Sequence, residues 1–383
     1  MRGVKELSLE GRRVILRVDF NVPMKDGVIA DDTRIRASLP TIECVLRAKA
    51  SLVLMSHLGR PKGRDMACTL APCAKRLSEL LERDVRFIPE CVDIQKLRPG
   101  EVVLLENLRF HAGEEEPDKD PSFAKALAQW GDVYVDDAFA AAHRDHASIT
   151  RITQYFGEQK AAGLLMQKEV EVLSQLLQHP ARPFYAIMGG AKISTKLGVI
   201  HNLLKHVDGL FLGGAMTYSF LKARGISVGD SLCEESEIPK VKPLLSEPKI
   251  HFPTDIVISD KVHTRTVSLN EGIPVGWEGM DVGPNTVPQW MQTLKGAATI
   301  FWNGPVGVFE KTPFAHGTRA LAQELARLCK KGTNVVIGGG DSVYAIEQMG
   351  LSKKFTHLST GGGASLEYLE NGTLPGIDAL TKN

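Results

Sequence analysis

Short apolar runs rich in branched side chains alternate along the chain with stretches long enough to form a helix. This pattern is typical of a parallel sheet flanked by helices. In the first half it predicts helices such as those over residues 69–82 and 122–129. It also predicts strands over residues 14–18, 52–55, 85–88, 102–105 and 133–135. These elements indicate one doubly wound α/β domain.

Six more apolar runs follow in the second half and predict a second sheet of the same class. They span residues 184–188, 210–212, 255–258, 298–301, 334–337 and 356–359. Between the two sets, an amphipathic stretch at helical spacing ends near His179-Pro180, where proline stops a helix. The fold class we expect is therefore α/β, with two doubly wound, Rossmann-like parallel-sheet domains joined by an interdomain helix and a substrate cleft between them.

Chain length supports two domains, because 383 residues exceed what one hydrophobic core usually serves. We predict a first domain over 1–163, a hinge helix over 164–178, a second domain over 179–365 and a tail over 366–383. A net charge of +1 gives no general attraction to nucleic acid or membrane, so anion binding has to come from local clusters. The six cysteines form no CxxC pair, and no signal-like or membrane-length apolar stretch occurs. We therefore expect reduced thiols and a cytoplasmic protein.

Arginines follow the predicted strands of the first half. Ligands of open parallel sheets bind beyond the carboxyl ends of the strands, so these segments are informative. A doubly wound sheet would bring four of them to one edge, namely Arg34 (expected in a loop), Arg60, Arg109 and Arg144. One arginine is usually a solvated charge, but four together suit a small, multiply anionic substrate, because guanidinium groups bind phosphate oxygens bidentately.

Other polar side chains follow the same strands. Asp19 and Asn21 come after the first strand and His57 after the second. A carboxylate repels phosphate, so Asp19 and Asn21 would instead share hydrogen bonds with a substrate hydroxyl. The alternative for this pair is a structural role in capping a turn.

Glycines follow the predicted strands of the second half. They occur at Gly189-Gly190, Gly213-Gly214 and Gly338-Gly339-Gly340. Backbone amides approach a phosphate closely at glycine, and a helix predicted to start near Ser342 would direct its N-terminal dipole at the same charge. A single glycine pair more often serves a tight turn. Three of them, with Lys192 and Lys196 expected one helical turn apart, predict a nucleotide phosphate site.

Two further features of the second half fit a nucleotide. Asp341 follows the glycines, where its carboxylate could hold the Mg²⁺ that accompanies ADP or ATP; capping of the next helix is the alternative. Residues 302–310 offer apolar walls for a purine and, in Glu310, a carboxylate for ribose hydroxyls.

The sequence motifs of the common nucleotide-binding folds are not found. The chain contains neither a Walker loop nor GxGxxG. His143-Arg144-Asp145 resembles the protein-kinase catalytic loop, but Thr150 stands where that motif needs asparagine.

Eight dispersed motifs, in order over nearly the whole chain, together resemble the phosphoglycerate kinase family. They lie at residues 17–23, 56–61, 106–110, 143–148, 189–196, 303–310, 338–342 and 359–365. The resemblance implies a kinase that transfers a phosphoryl group reversibly from 1,3-bisphosphoglycerate to ADP, giving 3-phosphoglycerate and ATP. It implies direct in-line transfer after domain closure, with Mg²⁺, in a cytoplasmic monomer that binds neither nucleic acid nor membrane.

The resemblance also implies the roles of individual residues. The substrate would bind to Asp19, Phe20, Asn21, Arg34, His57, Leu58, Gly59, Arg60, Arg109 and Arg144. The nucleotide would bind to Lys192, Lys196, Gly213, Asn303, Pro305, Val308, Glu310, Gly339, Gly340, Asp341 and Ser342, with Mg²⁺ on Asp341. Arg34, Lys192 and Gly340 would be catalytic, with Arg34 and Lys192 holding the transferred group from opposite domains. The last helix would fold back onto the first domain.

The chain departs from the family pattern at three positions. Asp136 and Ala140 stand where the family usually has asparagine and glycine, and Val306 stands where methionine is more common. Asp136 adds a negative charge near the predicted phosphate site, and Ala140 bears on the backbone shape before Arg144.

Two other functions remain as alternatives: a non-catalytic sensor of a phosphometabolite or nucleotide, and a protein that binds RNA or DNA through the arginines. Near-zero net charge and the lack of basic-aromatic stripes count against nucleic-acid binding.

Overall fold

The computed structural model describes residues 1–382 and divides into two compact units. The first unit comprises Met1–Glu171 together with the segment from Thr373 on, and the second comprises Val172–Gly372. The helix Leu164–Gln178 spans the junction between them in the sequence. The domain boundaries given above remain predictions.

A six-stranded parallel sheet forms the centre of the first unit. In spatial order its strands are Arg86–Ile88, Val102–Leu105, Ser51–Met55, Arg13–Arg17, Val133–Asp136 and Lys160–Ala162. The four inner strands are buried almost throughout, which explains why they are nearly continuous apolar runs in the sequence. Sequence analysis missed the edge strand Lys160–Ala162, because Lys-Ala-Ala contains no branched apolar side chain.

Helices and one hairpin complete the first unit. The helices are Thr33–Arg47, Ala71–Leu81, Ala112–Glu115, Pro121–Ala128, the start of Leu164–Gln178 and Pro375–Thr381. The hairpin pairs Met24–Lys25 with Val28–Ile29. The C-terminal helix Pro375–Thr381 contacts the edge strand Lys160–Ala162 and the 3₁₀ turn Arg151–Tyr155. The core beneath the sheet contains Val14, Leu16, Leu52, Leu54 and Ile42.

The second unit is built on another six-stranded parallel sheet. Its order is Ile250–His251, Gly209–Leu212, Phe184–Met188, Thr299–Asn303, Asn334–Gly338 and His357–Leu358. The sequence prediction that residues 255–258 belong to this sheet is wrong. Asp255–Ser259 is instead the middle strand of a separate antiparallel sheet, between Thr264–Ser268 and Glu278–Val282. An apolar run shows that a strand is buried but carries no information about its partners.

The helices of the second unit are Leu197–Leu203, Met216–Ala223, Ile238–Val241, Thr286–Leu294, His316–Lys330, Gly340–Gln348 and Gly363–Asn371. The expected fold class, two parallel sheets flanked by helices, is confirmed. Within residues 1–382, no helix has the length and apolar character that crossing a membrane requires.

Candidate active site

Four neighbouring strands of the first unit end at the same height. Pairing places Arg17 opposite both Met55 and Asp136, and the next strand over ends at Leu105. The segments that follow these strands therefore leave the sheet together. We call these segments, residues 18–21, 56–60, 106–110 and 137–144, the arginine edge. Most of the predicted substrate residues lie on them.

Arg34 reaches this edge from a helix, and the expectation that it lies in a loop is wrong. It occupies the first turn of Thr33–Arg47, where it forms an ion pair with Asp19. The polar sequence Asp31-Asp32-Thr33 suggested a loop but instead precedes the helix, with Asp31 Oδ1 accepting the Thr33 amide at 2.8 Å. The Arg34 side chain stays 36% exposed, so its guanidinium can still meet a ligand.

Polar contacts join the loops of the arginine edge. Asp19 Oδ1 accepts the Asn21 amide at 3.2 Å, and Asn21 Oδ1 accepts the Gly59 amide at 2.9 Å. Arg109 Nη1 donates to the Gly59 carbonyl at 2.7 Å. Asp19 therefore stabilises its own turn, and Asn21 joins two loops, so both side chains have a structural role. Phe20 and Leu58 are buried beneath these loops.

Two arginines of the edge, Arg60 and Arg144, differ from Arg109 in their surroundings. Within residues 1–382, the exposed side chains of Arg60 and Arg144 form neither a hydrogen bond nor an ion pair. Arg109 differs, because its Nε lies 3.1 Å from Glu115 and its side chain is 10% exposed. Burial lowers the pKa of Arg109, and the nearby charges of Arg17 and Arg60 act in the same direction. The edge therefore carries positive charge that the protein itself does not neutralise.

A buried polar network beneath the edge was missed by sequence analysis. Arg17 is fully buried, and its guanidinium donates to Ser148 Oγ at 2.9 Å and lies 3.2 Å from His57 Nδ1 and 3.8 Å from Glu114. Burial, followed by the charge of Arg17, lowers the pKa of His57 well below its usual value. His57 is therefore a neutral hydrogen-bonding group at physiological pH. The sequence signal that could have revealed this network is Arg17 itself, an arginine at the end of an otherwise apolar strand.

Asp136 and Ala140, the departures from the family pattern, have different consequences. Asp136 is fully buried; its Oδ1 accepts the Ala138 amide at 2.9 Å, whereas its Oδ2 has no hydrogen-bond partner among the described residues. Burial raises the pKa of Asp136 to about 7. Ala140 lies in the 3₁₀ turn Phe139–Ala141 without a positive φ, so this backbone does not require glycine.

Asp137 connects the arginine edge to the helix Leu164–Gln178. Its Oδ1 accepts the Leu165 amide at 2.9 Å and the Met166 amide at 3.2 Å, so it satisfies donors of the first turn. The start of that helix is therefore attached to the end of a central strand.

The strands of the second unit also end level. Asn303 lies opposite both Met188 and Gly338. We call the segments that follow, residues 189–190, 213–214, 304–306 and 339–342, the glycine edge. Most of its glycines are required by packing within the protein. A Cβ on Gly214 would lie 2.6 Å from the Gly190 backbone, and one on Gly213 would lie 2.7 Å from Val306.

Gly340 is different from the other glycines of this edge. It has an ordinary φ, and a Cβ built on it meets no atom within 4 Å. It begins the helix Gly340–Gln348, two residues before the predicted start near Ser342, and the first amides of a helix have no acceptor within it. Nothing in the protein explains the missing side chain, whereas close approach of a phosphate would.

Lys192 and Lys196 are in different environments, and the expectation that they lie one helical turn apart is wrong. Both precede the helix Leu197–Leu203. Lys196 is 9% exposed and donates to the Gly189 carbonyl at 2.6 Å and to Asn303 Oδ1. Burial lowers its pKa to about 8, against the opposing charge of Asp341. Lys192 is exposed and makes no side-chain hydrogen bond within the described chain.

The other predicted nucleotide residues divide into buried and exposed groups. Asn303 Nδ2 donates to the Gly338 carbonyl at 2.9 Å, and Ser342 Oγ accepts the Gly304 amide at 2.6 Å, so both side chains are used within the protein. Asp341 and Glu310 are exposed, and among residues 1–382 neither side chain forms a hydrogen bond or an ion pair. Gly339 has a φ of 89°, which suits glycine at the turn into the helix. Pro305 is buried and Val308 half-buried beside them.

Comparison with known proteins gives one consistent result. The profile of the family described as Phosphoglycerate kinase matches residues 4–372. Phosphoglycerate kinases of Chlamydia trachomatis serovar L2 and Thermosynechococcus vestitus are each 48% identical, covering 99% of this chain and 98% of theirs. The structure resembles phosphoglycerate kinase from Coxiella burnetii, with a TM-score of 0.88 and 38% identity over 99% of this chain and 98% of that one. It also resembles the Pyrococcus horikoshii enzyme, with a TM-score of 0.86 and 32% identity over 100% and 98%.

Proposed function

The chain belongs to the phosphoglycerate kinase family, and from this premise we propose how its two edges divide the reaction between them. The protein is a glycolytic kinase, a phosphotransferase. The arginine edge binds 3-phosphoglycerate or 1,3-bisphosphoglycerate, and the glycine edge binds ADP or ATP. One contrast carries this assignment: unpaired guanidinium groups at Arg60 and Arg144, against a helix start at Gly340 whose missing side chain the protein does not explain.

At the arginine edge, Arg60, Arg109 and Arg144 hold the phosphate of the substrate through charge-assisted hydrogen bonds. Asp19 and Asn21 meet its hydroxyl, and neutral His57 adds a further hydrogen bond. The buried pair of Arg17 and Glu114 positions His57 without touching the substrate. Phe20, Leu58 and Gly59 shape the loops around it.

At the glycine edge, backbone amides at Gly339, Gly340 and Asp341 approach the nucleotide phosphates at the start of the helix. Lys196, through Gly189 and Asn303, keeps two of the loops together, and Ser342 secures Gly304. Gly213, Pro305 and Val308 line the adenine site, and Glu310 accepts hydrogen bonds from the ribose.

Magnesium fits the donors at this edge. Asp341 offers a carboxylate to which no side chain of residues 1–382 donates, and a hard oxygen is the ligand type Mg²⁺ prefers. When bound with the nucleotide, the ion would neutralise phosphate charge. We therefore assign Asp341 as its protein ligand.

Transfer itself requires positioning and charge stabilisation rather than a protein nucleophile. Arg34 stabilises the transferred phosphoryl group from the arginine edge, and Lys192 and the Gly340 amide do so from the glycine edge. The two edges belong to different units, so the units have to close for direct in-line transfer, which also excludes water. The helix Leu164–Gln178, attached at Asp137, is the hinge element. The enzyme acts as a cytoplasmic monomer on small molecules, with no nucleic-acid or membrane partner.

A coupled assay tests the function. Purified protein is supplied with 3-phosphoglycerate and Mg-ATP, and 1,3-bisphosphoglycerate is detected as NADH oxidation through glyceraldehyde-3-phosphate dehydrogenase. We expect rapid oxidation that requires magnesium and disappears when 3-phosphoglycerate is omitted. A folded sample that binds ATP yet gives no signal above a protein-free control would contradict the proposal and favour the sensor alternative.

A further inference from the structure

Three potential metal ligands of different chemistry lie together outside the two edges. One ligand atom each from Glu90, Cys91 and His111 lies within 4.8 Å of the other two. Glu90 and Cys91 follow the strand Arg86–Ile88, whereas His111 begins the segment that leads into the helix Ala112–Glu115. None of the three has a role in the proposed reaction.

Surrounding contacts hold all three ligand residues in place. The indole of Trp130 donates to the Cys91 carbonyl at 2.7 Å, which fixes the backbone beside the buried thiol. The His111 ring stacks on Phe123 with centroids 5.0 Å apart. Such support from neighbours is what orients the ligands of metal sites in proteins.

Glu90 uses its two oxygens for different partners. Oε1 lies 2.7 Å from His111 Nε2, whereas Arg64 contacts Oε2 at 3.2 Å and also donates to the Pro89 carbonyl at 2.6 Å. An ion bound to Oε1 would therefore leave Arg64 as an outer partner of the same carboxylate.

We propose that Glu90, Cys91 and His111 form a binding site for a thiolate-preferring divalent metal ion, for which Zn²⁺ is the best match. Thiolate, imidazole and carboxylate are the ligands of zinc, whereas Mg²⁺ takes oxygen ligands and avoids sulfur. The site is thus distinct in chemistry from the magnesium site assigned to Asp341. The Glu90 and His111 side chains are 33% and 30% exposed, which provides an entry path and room for water as the fourth ligand.

Binding of the metal ion displaces a proton from the site. The metal ion forms a bond to Cys91 Sγ, and the thiol proton leaves to solvent. Without metal, neutral His111 donates its single ring proton from Nε2 to Glu90 Oε1. With metal, Nε2 donates its lone pair to the ion and the ring proton is carried on Nδ1, so the thiol proton is the only one released. No oxidant or reductant takes part.

Cobalt titration of the full chain tests the site. Co²⁺ replaces Zn²⁺ at such sites, and a cobalt–thiolate bond gives a charge-transfer absorption that binding at carboxylates or imidazole alone does not give. We expect this band to saturate at one Co²⁺ per chain, to disappear when Zn²⁺ is added, and to persist in excess Mg²⁺. Absence of the band, or its displacement by Mg²⁺, would overturn the proposal.

Variants locate the bound ion. C91S should abolish the band, and H111Q should weaken Co²⁺ binding at least about 10-fold, the lower end of what loss of even an outer partner costs. H263Q is the matched control, because His263 pairs with Asp260 at 3.0 Å on the surface as an imidazole–carboxylate pair without a thiol. H111Q changes a half-exposed side chain, so it remains informative if C91S does not fold. An unchanged band in H111Q, or an equal loss in H263Q, would contradict the assignment.

Discussion

The two units have the same sheet architecture but different chemistry where their strands end. The arginine edge presents long charged side chains, and two of them, Arg60 and Arg144, form no hydrogen bond or ion pair with the part of the chain that the structure describes. The glycine edge presents backbone, with loops so close that Gly213 and Gly214 have no room for a Cβ. Side chains can surround a small anion from several directions, whereas amides at a helix start hold a phosphate chain at one place. The difference suggests that each edge is adapted to one of the two substrates.

The largest expected effect is on transfer, at the arginine edge. Arg34→Ala should lower turnover by about 10² to 10³-fold, the scale for losing one charge partner of the transition state, with little change in nucleotide affinity. The coupled assay measures this. Arg36→Ala is the control, since Arg36 lies on the same helix with its side chain 52% exposed and pairs with Asp32. Near-normal turnover in Arg34→Ala would remove Arg34 from the mechanism.

The next effect is on stability, at the glycine edge. Gly189→Ala should destabilise the second unit by about 3 kcal/mol, the upper range for overpacking, because its Cβ would collide with the Pro305 carbonyl. Denaturant unfolding measures the loss. Gly296→Ala provides the comparison, because the nearest atom to its added Cβ is the Thr293 carbonyl at 3.6 Å. Equal stability of the two variants would show that the loops of this edge are not tightly packed.

Asp136, at the end of the strand Val133–Asp136 and next to the arginine edge, is expected to make the stability of the protein depend on pH. Burial raises its pKa from 3.8 to about 7, so the folded protein binds this proton more tightly than the unfolded chain does. Its contribution to stability is full below about pH 4 and is lost as the pH rises through 7. Asp136→Asn removes the ionisation, so the variant should be more stable than the parent at pH 8, with the advantage shrinking toward pH 4.

Thermal unfolding of both proteins between pH 4 and pH 8 checks this. Asp132→Asn is the control, because hydrogen bonding and ion pairing with Arg13 lower the pKa of that half-exposed carboxyl, so its removal should not stabilise the protein at pH 8. A constant difference between Asp136→Asn and the parent across the range would mean that Asp136 does not titrate there.

The smallest effect separates binding from folding within the glycine edge. Gly340→Ala should leave stability within about 0.5 kcal/mol of the parent, because the added methyl meets no protein atom. It should nevertheless weaken ADP binding about 10-fold, since the methyl occupies the approach to the helix-start amides. Calorimetry with ADP and Mg²⁺ measures the affinity. Unchanged affinity would leave the missing side chain of Gly340 unexplained.

Sequence analysis predicted the inner strands well because they are buried and therefore apolar along their whole length. It failed where tertiary pairing decides. Asp255–Ser259 is as apolar as a parallel strand but joins an antiparallel sheet, and Lys160–Ala162 is a strand only because Val133–Asp136 lies beside it. The local pattern of apolar residues predicts neither of these strand pairings.

The candidate site was predicted in outline but not in its internal roles. The arginines and glycines were visible because strand ends are where ligands bind. What could not be predicted is how much of the site serves the protein itself. Lys196 donates hydrogen bonds to Gly189 and Asn303 and so joins two loops, whereas Lys192 is exposed. Nothing in the local sequence distinguishes the two lysines. The buried ion pair of Arg17 could not be predicted either, because its partner Glu114 lies almost a hundred residues away in the chain.

Separate calorimetric titrations of 3-phosphoglycerate and of ADP with Mg²⁺ test the division of labour between the edges most directly. The proteins compared are the parent, Arg60→Ala and Gly340→Ala. Both variants should fold normally, because the exposed Arg60 side chain forms no hydrogen bond or ion pair within residues 1–382 and a Cβ on Gly340 meets no atom within 4 Å. We predict that Arg60→Ala weakens 3-phosphoglycerate binding at least about 10-fold and leaves ADP unchanged, and that Gly340→Ala does the reverse. Equal losses for both ligands in either variant would contradict the account.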